Sequence, residues 1–286
     1  AIDLSSKGFQ LSIDVNVLTL NNFEWRFGTR FSTTETLVDK ISNGLPVVVG
    51  SSGSGQTVIK EGYAVGAFFG TEPLTAINQK DPDGNYYIDQ TTASDYEIVN
   101  GYVTNNEHKT VVFTTDQRQI GDATPDFSVS FFNDFTILKD VTFSFQIDWI
   151  KGAQAYNQTN QWLYRDRISQ DFDKKITVDG DKQAWVNWWS SLYQTNNPNK
   201  HFVEDASFVR LRNVSISWDL THLVKSKLIK GLVLSATGRN LFTITNYSGL
   251  DPEAVGTAVN DPLQRGIDLY SFPNFRTFSF GLNVNF

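Results

Sequence analysis

The sequence predicts an all-β protein, specifically a transmembrane antiparallel β-barrel, from three observations. Apolar and polar residues alternate strictly over segments of about ten residues, the length a tilted strand needs to cross a bilayer. Short turns and long connections alternate between these segments, as in outer-membrane barrels. The 22 Phe, 10 Tyr and 7 Trp are interleaved with polar side chains, so that the mean hydropathy is only -0.29. Such an average is expected when one strand face meets lipid and the other a polar lumen.

The first two segments predict a hairpin. In segment 8–18 the odd positions from 9 to 17 are apolar and the even ones from 10 to 16 are polar, and segment 23–31 repeats the alternation after a short turn at 19–22. Odd-numbered and even-numbered residues lie on opposite faces of a strand, so each segment has one apolar face. The apolar sets are Phe9, Leu11, Ile13, Val15 and Val17, then Phe23, Trp25, Phe27 and Phe31.

Two further hairpins and a final strand follow the same pattern. Segment 127–135 is predicted to pair with 141–150, segment 207–220 with 231–240, and segment 278–286 closes the chain. In the third hairpin, Arg210 and Arg212 share the parity of the apolar Val214 and Ile216. Either the strand leaves the membrane there or a β-bulge shifts its register. We favour emergence from the membrane.

Connection lengths predict the topology. The turns near 19–22, 136–140 and 221–230 are short and are assigned to the periplasmic side. The long extracellular loops are placed near 34–125, 151–206 and 241–275, within a single barrel portion covering 1–286. Segments 61–70 and 102–114 are expected to add one strand pair in the first loop.

Composition excludes several classes of protein. With 24 Lys+Arg against 31 Asp+Glu the net charge is -7, and no basic cluster suggests nucleic-acid binding. No apolar run reaches the roughly 18 residues of a membrane-spanning helix, and the absence of Cys excludes thiol chemistry. The sequence has no Met and does not begin with a signal-peptide pattern, so we expect a processed, truncated or partial chain.

A soluble β-sandwich or jelly roll also alternates apolar and polar residues and is the main structural alternative. Charges and amides along the whole polar face, and uniform segments near ten residues, favour the membrane barrel. Aromatic residues near segment ends are predicted to lie at the membrane interfaces. They are Phe23, Trp25, Trp149, Trp218 and Phe286.

Several ordered segments resemble the C-terminal barrel portion of SusC/RagA-type TonB-dependent outer-membrane transporters. These are GYAVGAFFG at 62–70, IGDATPDF at 120–127, EDASFVRLRNVS at 204–215, TGRNLFTITNYSGLDPE at 237–253, GID at 266–268 and RTFSFGLNV at 276–284. The family's Asp/Asn/Gly-rich turn before the IGD segment is abbreviated here, at 111–119, which puts any ion-binding role of that turn in doubt.

The resemblance implies a barrel of about 22 strands with a plugged lumen. The roughly seven to nine strands of this chain cannot close such a barrel alone, so the remaining barrel and the plug are expected on the same or another chain. It also implies a place in the bacterial outer membrane, in contact with its lipid. The implied activity is import of oligosaccharides or peptides, with a SusD-like surface lipoprotein and the TonB–ExbB–ExbD complex as partners and without a cofactor.

The loop 151–206 holds most of the candidate ligand-binding residues. Trp185, Trp188, Trp189 and Leu192 have the i, i+3, i+4, i+7 spacing of a helix face. This face either stacks on sugar rings and clasps a partner, or packs into a small core of the loop itself. Arg239, with Arg210 and Arg212, either binds anionic groups in the lumen or pairs with carboxylates of the wall. The other candidates in the loop are Tyr156, Trp162 and Tyr164.

The sequence does not indicate an enzyme. His108, His201 and His222 are its only histidines, and no Ser/His/Asp arrangement can be assembled around them. The acidic turn at 81–85 lacks the Gly at loop position six and the distal Glu of an EF-hand, so a plain turn is expected and no metal site is assigned. Two alternative functions stay open: a soluble β-domain that binds or hydrolyses carbohydrate, and a small self-contained porin-like barrel.

Overall fold

Strands make up most of the structure. The computed structural model describes residues 1–49, 57–195, 197–225, 228–254 and 265–286. Among these residues no helix combines the length and the apolar character needed to cross a membrane. The α-helices are α1 (Gln158–Arg165) and α2 (Trp185–Ser191), and 3₁₀ helices cover Gln90–Asp95, Gln170–Asp173, Lys200–Phe202 and Thr221–Leu223. The strands are β1 (Ile2–Leu20), β2 (Phe23–Ile41), β3 (Val47–Val49), β4 (Thr57–Ile59), β5 (Ala67–Gly70), β6 (Tyr96–Val99), β7 (Tyr102–Asn105), β8 (Thr110–Val111), β9 (Arg118–Asp122), β10 (Phe127–Ile137), β11 (Val141–Lys151), β12 (Gln154–Asn157), β13 (Val203–Asp205), β14 (Phe208–Asp219), β15 (Gly231–Thr245), β16 (Ile267–Asp268) and β17 (Thr277–Asn285).

Seven strands form one large antiparallel sheet, in the order β1-β2-β10-β11-β14-β15-β17. The three predicted hairpins and the final strand are all present in it, which confirms the antiparallel prediction. Within the described residues β1 and β17 each have a single neighbour, so they are the two edges of the sheet. An edge strand presents unpaired backbone groups, which must find partners on further strands if the sheet lies in lipid.

The strand lengths suit a bilayer. Both β10 and β11 have 11 residues, which span roughly 36 Å, or about 26 Å along the membrane normal at the usual tilt of about 45°. This agrees with the apolar band of about 25 Å around outer-membrane barrels. With 19 residues each, β1 and β2 exceed the predicted ten and continue beyond that band. The extension of β2 to Ile41 moves the start of the first long connection from 34 to 42.

The apolar face of the large sheet is open to its surroundings. Phe9 is 57% exposed and Phe280 is 85% exposed, whereas Phe27 and Phe143 are partly covered by their neighbours on the same sheet. In the described part of the chain no second sheet packs on this face, as a β-sandwich would require. Aromatic rings run across it from strand to strand, with centroids 5.7 Å apart for Trp25 and Phe135. An exposed apolar surface of this extent is expected of a sheet that faces lipid.

A β-bulge in β14 explains the two arginines that share the parity of the apolar residues. Gln146 lies opposite Asn213 but Ile147 lies opposite Leu211, so that Arg212 is the extra residue. The shift places Val209 and Leu211 on the apolar face and Arg210 opposite Asp148 on the polar face. Our preferred explanation, emergence from the membrane, was therefore wrong, and the register shift that we considered beside it is present.

The long connections form a cap at one end of the large sheet. We use this name for residues 42–126, 152–207 and 246–276, as far as they are described. The cap contains three small sheets, ordered β3-β4-β5-β9, β13-β12-β16 and β6-β7-β8. The prediction that 61–70 and 102–114 pair with each other was wrong, because β5 pairs with β4 and β9 while β7 pairs with β6 and β8.

The cap has its own hydrophobic core, drawn from all three connections. Trp188 and Tyr156 are its largest fully buried side chains. Burial of such a cluster removes several hundred Å² of apolar surface from water, which stabilises the cap at about 25 cal/mol per Å². The buried members are Phe68, Val111, Ile120, Tyr156, Tyr164, Phe172, Ile176, Val178, Ala184, Trp188, Trp189, Leu192, Phe202 and Ile267.

The exposed apolar face leads to a prediction about two adjacent residues of β14. Val214 lies on the apolar face and Ser215 on the polar face. We expect Val214→Lys to lower the free energy of unfolding in lipid vesicles by about 2–4 kcal/mol, the cost of a lysine near the bilayer midplane. Ser215→Lys should cost less than about 1 kcal/mol, because its ammonium reaches a polar face. Urea unfolding followed by tryptophan fluorescence measures both, and equal losses would contradict a lipid-facing surface.

Candidate functional site

The polar face of the sheet meets the cap at a cluster of charges. Arg210 is 2% exposed and donates from Nη2 to Asp251 Oδ1 and from Nη1 to Glu253 Oε2, at 2.5 Å in both cases. Its Nε donates to Thr243 Oγ1 at 2.9 Å. Asp251 also accepts from the backbone N–H of Asn274 at 2.9 Å. Arg210 thus ties two stretches of the third connection to the wall.

Arg212, the bulge residue, completes the cluster from the neighbouring position. Its Nε donates to Asp148 Oδ2 at 2.6 Å, and its Nη2 donates to Glu253 Oε1 at 2.6 Å. Asp148 accepts in addition from Ser130 at 2.7 Å and from Gln146 at 2.8 Å. Both arginines are therefore paired with carboxylates, the second of the two roles considered for them, and neither has a free fork for an anionic ligand.

Arg239 differs from these two arginines. It lies opposite Asn213 in β14 and Thr277 in β17, in register with the polar face. Its side chain is exposed, and no ion pair to it occurs in the part of the chain that the structure describes. Anion binding by Arg239 stays a prediction, and its accessibility makes it a better candidate than Arg210 or Arg212.

The aromatic helix predicted in the second connection is α2, and most of its aromatic face is buried. Trp188 is 0% exposed and donates from its indole N–H to Thr104 Oγ1 at 2.9 Å. Trp189 donates to the backbone carbonyl of Lys174 at 2.9 Å, and Leu192 lies in the same core. Of the two roles considered, the structure shows packing in the core. Trp185 is only half-buried, beneath the ammonium of Lys175 at 3.6 Å from its ring centroid.

Tyr156 and Tyr164 also belong to the cap core. Burial raises the pKa of both phenols well above the usual range, so they stay protonated. Trp162 is more accessible, and its ring centroid lies 5.3 Å from that of Tyr270 at the cap surface. Ligand contact stays a prediction for all of these residues, but in this conformation only Trp162, Trp185 and Arg239 are accessible to a ligand.

A buried chain of hydrogen bonds crosses the cap core through His201. The Tyr164 hydroxyl donates to Asp171 Oδ2 at 2.5 Å and lies 3.2 Å from His201 Nε2. Because that hydroxyl gives its proton to Asp171, it accepts from His201 Nε2–H. The Tyr102 hydroxyl, 3.1 Å from Nδ1, is then the donor on the other side. Burial lowers the pKa of His201 to about 4, so the ring is neutral at pH 7.

A surface cavity that the sequence did not predict lies where the second and third connections meet. Its volume is about 340 Å³, and its walls come from the first turns of α1 and from segments 248–250 and 268–272. Exposed apolar side chains border it, among them Leu250 and Phe272. The sequence offered one signal, since Phe272 is a large apolar residue of the third connection that has no place in the alternation of the strands.

The remaining predicted residues lie as follows. Phe23, Trp25, Trp218 and Phe286 lie at the end of the sheet with the short turns, and Trp149 lies toward the cap. Their interfacial role stays a prediction. In the acidic turn, the backbone N–H of Asn85 donates to Asp81 Oδ1 at 2.8 Å. No group of three or more potential metal ligands occurs within the described ranges.

The neutral His201 predicts a pH-dependent cap. A histidine with an ordinary pKa near 6.5 in the unfolded state and about 4 in the folded state stabilises folding above pH 6.5. This contribution, about 3 kcal/mol, is lost as the pH falls from 6.5 to 4, because the unfolded state binds the proton first. Hydrogen exchange of cap amides, corrected for intrinsic rates, should show this loss. His201→Gln should remove most of it and the exposed His108→Gln none, whereas an unchanged slope in His201→Gln would refute the assignment.

The curated proteins that the chain resembles are TonB-dependent receptors. The chain is 30% identical over 307 residues to TonB-dependent receptor P3 of Formosa agariphila, an alignment covering 99% of this chain and 29% of that relative. It is 23% identical to TonB-dependent receptor SusC of Bacteroides thetaiotaomicron, covering 99% of this chain and 26% of the relative. No family model matches the sequence. The chain thus spans less than a third of the length of these curated relatives.

Solved structures agree with this fold. The chain superimposes on part of a structure of the RagAB peptide transporter with a TM-score of 0.68 at 18% identity, covering 99% of this chain and 29% of that one. At this identity the likeness concerns the fold alone. The alignment includes the antiparallel wall described above. Together with the ordered sequence motifs, the curated relatives show that the chain is a portion of a SusC/RagA-type TonB-dependent receptor of the bacterial outer membrane.

Proposed function

We propose that this chain supplies part of the wall and of the surface cap of an outer-membrane nutrient importer. The transported molecules are oligosaccharides or peptides, and the chemistry is binding and passage with no bond broken. The observation that carries the proposal is the pair of faces of one sheet: exposed aromatic side chains on one side, and charged, hydrogen-bonded side chains on the other. A soluble β-domain would bury the first face, so it is disfavoured.

The proposed partners are those expected of TonB-dependent receptors of the SusC/RagA type. A SusD-like surface lipoprotein covers the cap side, and the TonB–ExbB–ExbD complex supplies energy from the inner membrane. The names of the relatives, TonB-dependent receptors and the RagAB transporter, support both partners. The open edges β1 and β17 support a wall completed by further strands rather than a small self-contained porin.

Energised uptake tests the proposal. In cells that express the complete receptor with its lipoprotein, accumulation of a labelled oligosaccharide or peptide should fall at least tenfold when an uncoupler collapses the proton-motive force. Diffusion through a porin does not need that force, so a general porin measured in parallel serves as the control. Uptake that persists in the uncoupler would favour the porin alternative, and recovery of the complete protein in buffer without detergent would exclude the membrane assignment.

Arg239 provides a test of selectivity at the polar face. If its exposed guanidinium attracts anionic groups in the lumen, Arg239→Gln should lower uptake of an acidic peptide about tenfold and leave a neutral peptide unchanged. A charge-assisted hydrogen bond of about 1.5–3 kcal/mol accounts for such a change. Arg26→Gln, a surface arginine of the same wall that pairs with Glu24, is the matched control. Equal losses for both peptides would show that Arg239 has only a structural role.

A further inference from the structure

The cavity beside α1 has the dimensions of a small-ligand pocket. Its volume of about 340 Å³ lies at the lower end of the range of about 300–1,000 Å³ found for such sites. It is formed by residues far apart in the chain, so it exists only when the second and third connections are docked on each other. The residues used below line it: Asn157, Thr159, Asn160, Leu163, Ser248, Leu250, Asp268, Tyr270, Ser271 and Phe272.

Two polar groups of this cavity have unused hydrogen-bonding capacity. Ser271 is 7% exposed, and its hydroxyl has no hydrogen-bond partner among the described residues. A buried hydroxyl without a partner is costly and uncommon, and one at a cavity wall indicates a missing ligand group. Asp268 is satisfied at Oδ2 by the Tyr247 hydroxyl at 2.6 Å, but its Oδ1 receives only long contacts from Thr159 Oγ1 at 3.3 Å and Ser271 N at 3.4 Å.

The walls of the cavity are mostly apolar and accessible. Leu250 is 78% exposed and Phe272 is 85% exposed, although both border a concave site. Leu163 and the ring of Tyr270 complete the apolar wall, and Trp162 extends it over the surface through its contact with Tyr270. Large apolar side chains grouped around an opening are typical of a binding site rather than of an ordinary solvated surface.

Charge and hydrogen bonding narrow the class of ligand. The described cavity is lined by one carboxyl group, that of Asp268, and by no basic side chain, so anionic ligands are disfavoured. The side chains of Asn157 and Ser248 are already bound to each other and to Glu204. A sugar ring would bring several hydroxyl groups against apolar walls, where most would lose their hydrogen bonds. An extended peptide brings an apolar side chain together with one N–H and one C=O.

We infer that this cavity binds an apolar side chain of a peptide, with the peptide N–H donating to Asp268 Oδ1 and a peptide C=O accepting from the Ser271 hydroxyl. The Asn160 amide, at the same wall, is a second donor for that carbonyl. This inference rests on the proposed importer and selects peptides over oligosaccharides as its cargo. Neither the exposed aromatics of the large sheet nor the charge cluster around Arg210 takes part in it.

The Ser271→Ala variant distinguishes a ligand-binding role from a structural one. A hydroxyl that supports the fold would lower the midpoint of thermal unfolding of the complete receptor when removed. If the hydroxyl instead binds the ligand, its removal should leave that midpoint unchanged or raise it, and should weaken peptide binding about three- to tenfold. A lowered midpoint with unchanged peptide affinity would overturn the assignment of Ser271.

The apolar wall is tested with the exposed Leu250, which tolerates substitution without loss of core packing. Calorimetry on the complete receptor in detergent uses trileucine, triserine and a neutral glucose trisaccharide as probes. We expect trileucine to bind at least tenfold more tightly than triserine, and Leu250→Asp to weaken trileucine at least tenfold. Ile98→Asp, which places the same charge on an exposed apolar residue of β6 in the cap, should change it less than twofold.

Two outcomes overturn the inference. If trileucine binds no better than triserine, the cavity is not an apolar side-chain site. If the trisaccharide binds and Leu250→Asp abolishes its binding, the cavity is a sugar site instead. Both are distinct from failure of the proposed function, because energised uptake of some nutrient would continue in cells while the cavity variants have no effect on it. Loss of energised uptake in the unmodified receptor would instead overturn the importer itself.

Discussion

The ion pairs of Arg210 and Arg212 are the interaction on which the relation between wall and cap depends. They join Asp148 of β11 to Asp251 and Glu253 of the third connection. The bulge in β14 makes this possible, because it brings both guanidinium groups to the polar face. Each charge is buried or half-buried, so loss of one partner would leave an uncompensated charge at a cost of about 3–5 kcal/mol. The pairing therefore fixes where the third connection leaves the wall, and with it one side of the surface cavity.

The sequence segments that resemble the family meet one another in space. Gly266, which opens the GID segment, has φ +70°, and an added Cβ would lie 2.4 Å from Ala123 Cβ of the IGDAT segment. The next residue, Ile267, is buried beside Phe68, and Asp268 accepts from Tyr247. The resemblance thus reflects packing within the cap, where its first and third connections meet. For the proposed importer, we therefore expect substrate preference to depend on residues outside those contacts, such as Leu250 and Tyr270.

Much of the large sheet could be predicted from the sequence, because a strand with lipid on one side requires strict alternation and a one-residue slip would reverse every side chain. The bulge at Arg212 could not, since two charged residues out of phase are equally expected of a strand that leaves the membrane. The cap sheets were missed for another reason. Several of their strand pairs join distant segments, as β12 pairs with β13 and β16, and helix α2 likewise contacts Thr104 through Trp188 across 84 residues. Local periodicity cannot reveal such contacts.

The same separation explains why the aromatic helix α2 suggested a binding surface. Its spacing establishes only that Trp185, Trp188 and Trp189 share a face, and whether that face meets water, a ligand or a core depends on what the other connections place against it. Here they supply Thr104 and the Lys174 carbonyl, which satisfy both buried indole N–H groups. With both indole N–H groups satisfied, the centre of the cap is a packed core. Tyr270 and Phe272 are accessible and border a cavity in which the Ser271 hydroxyl has no partner, and Trp162 lies against Tyr270.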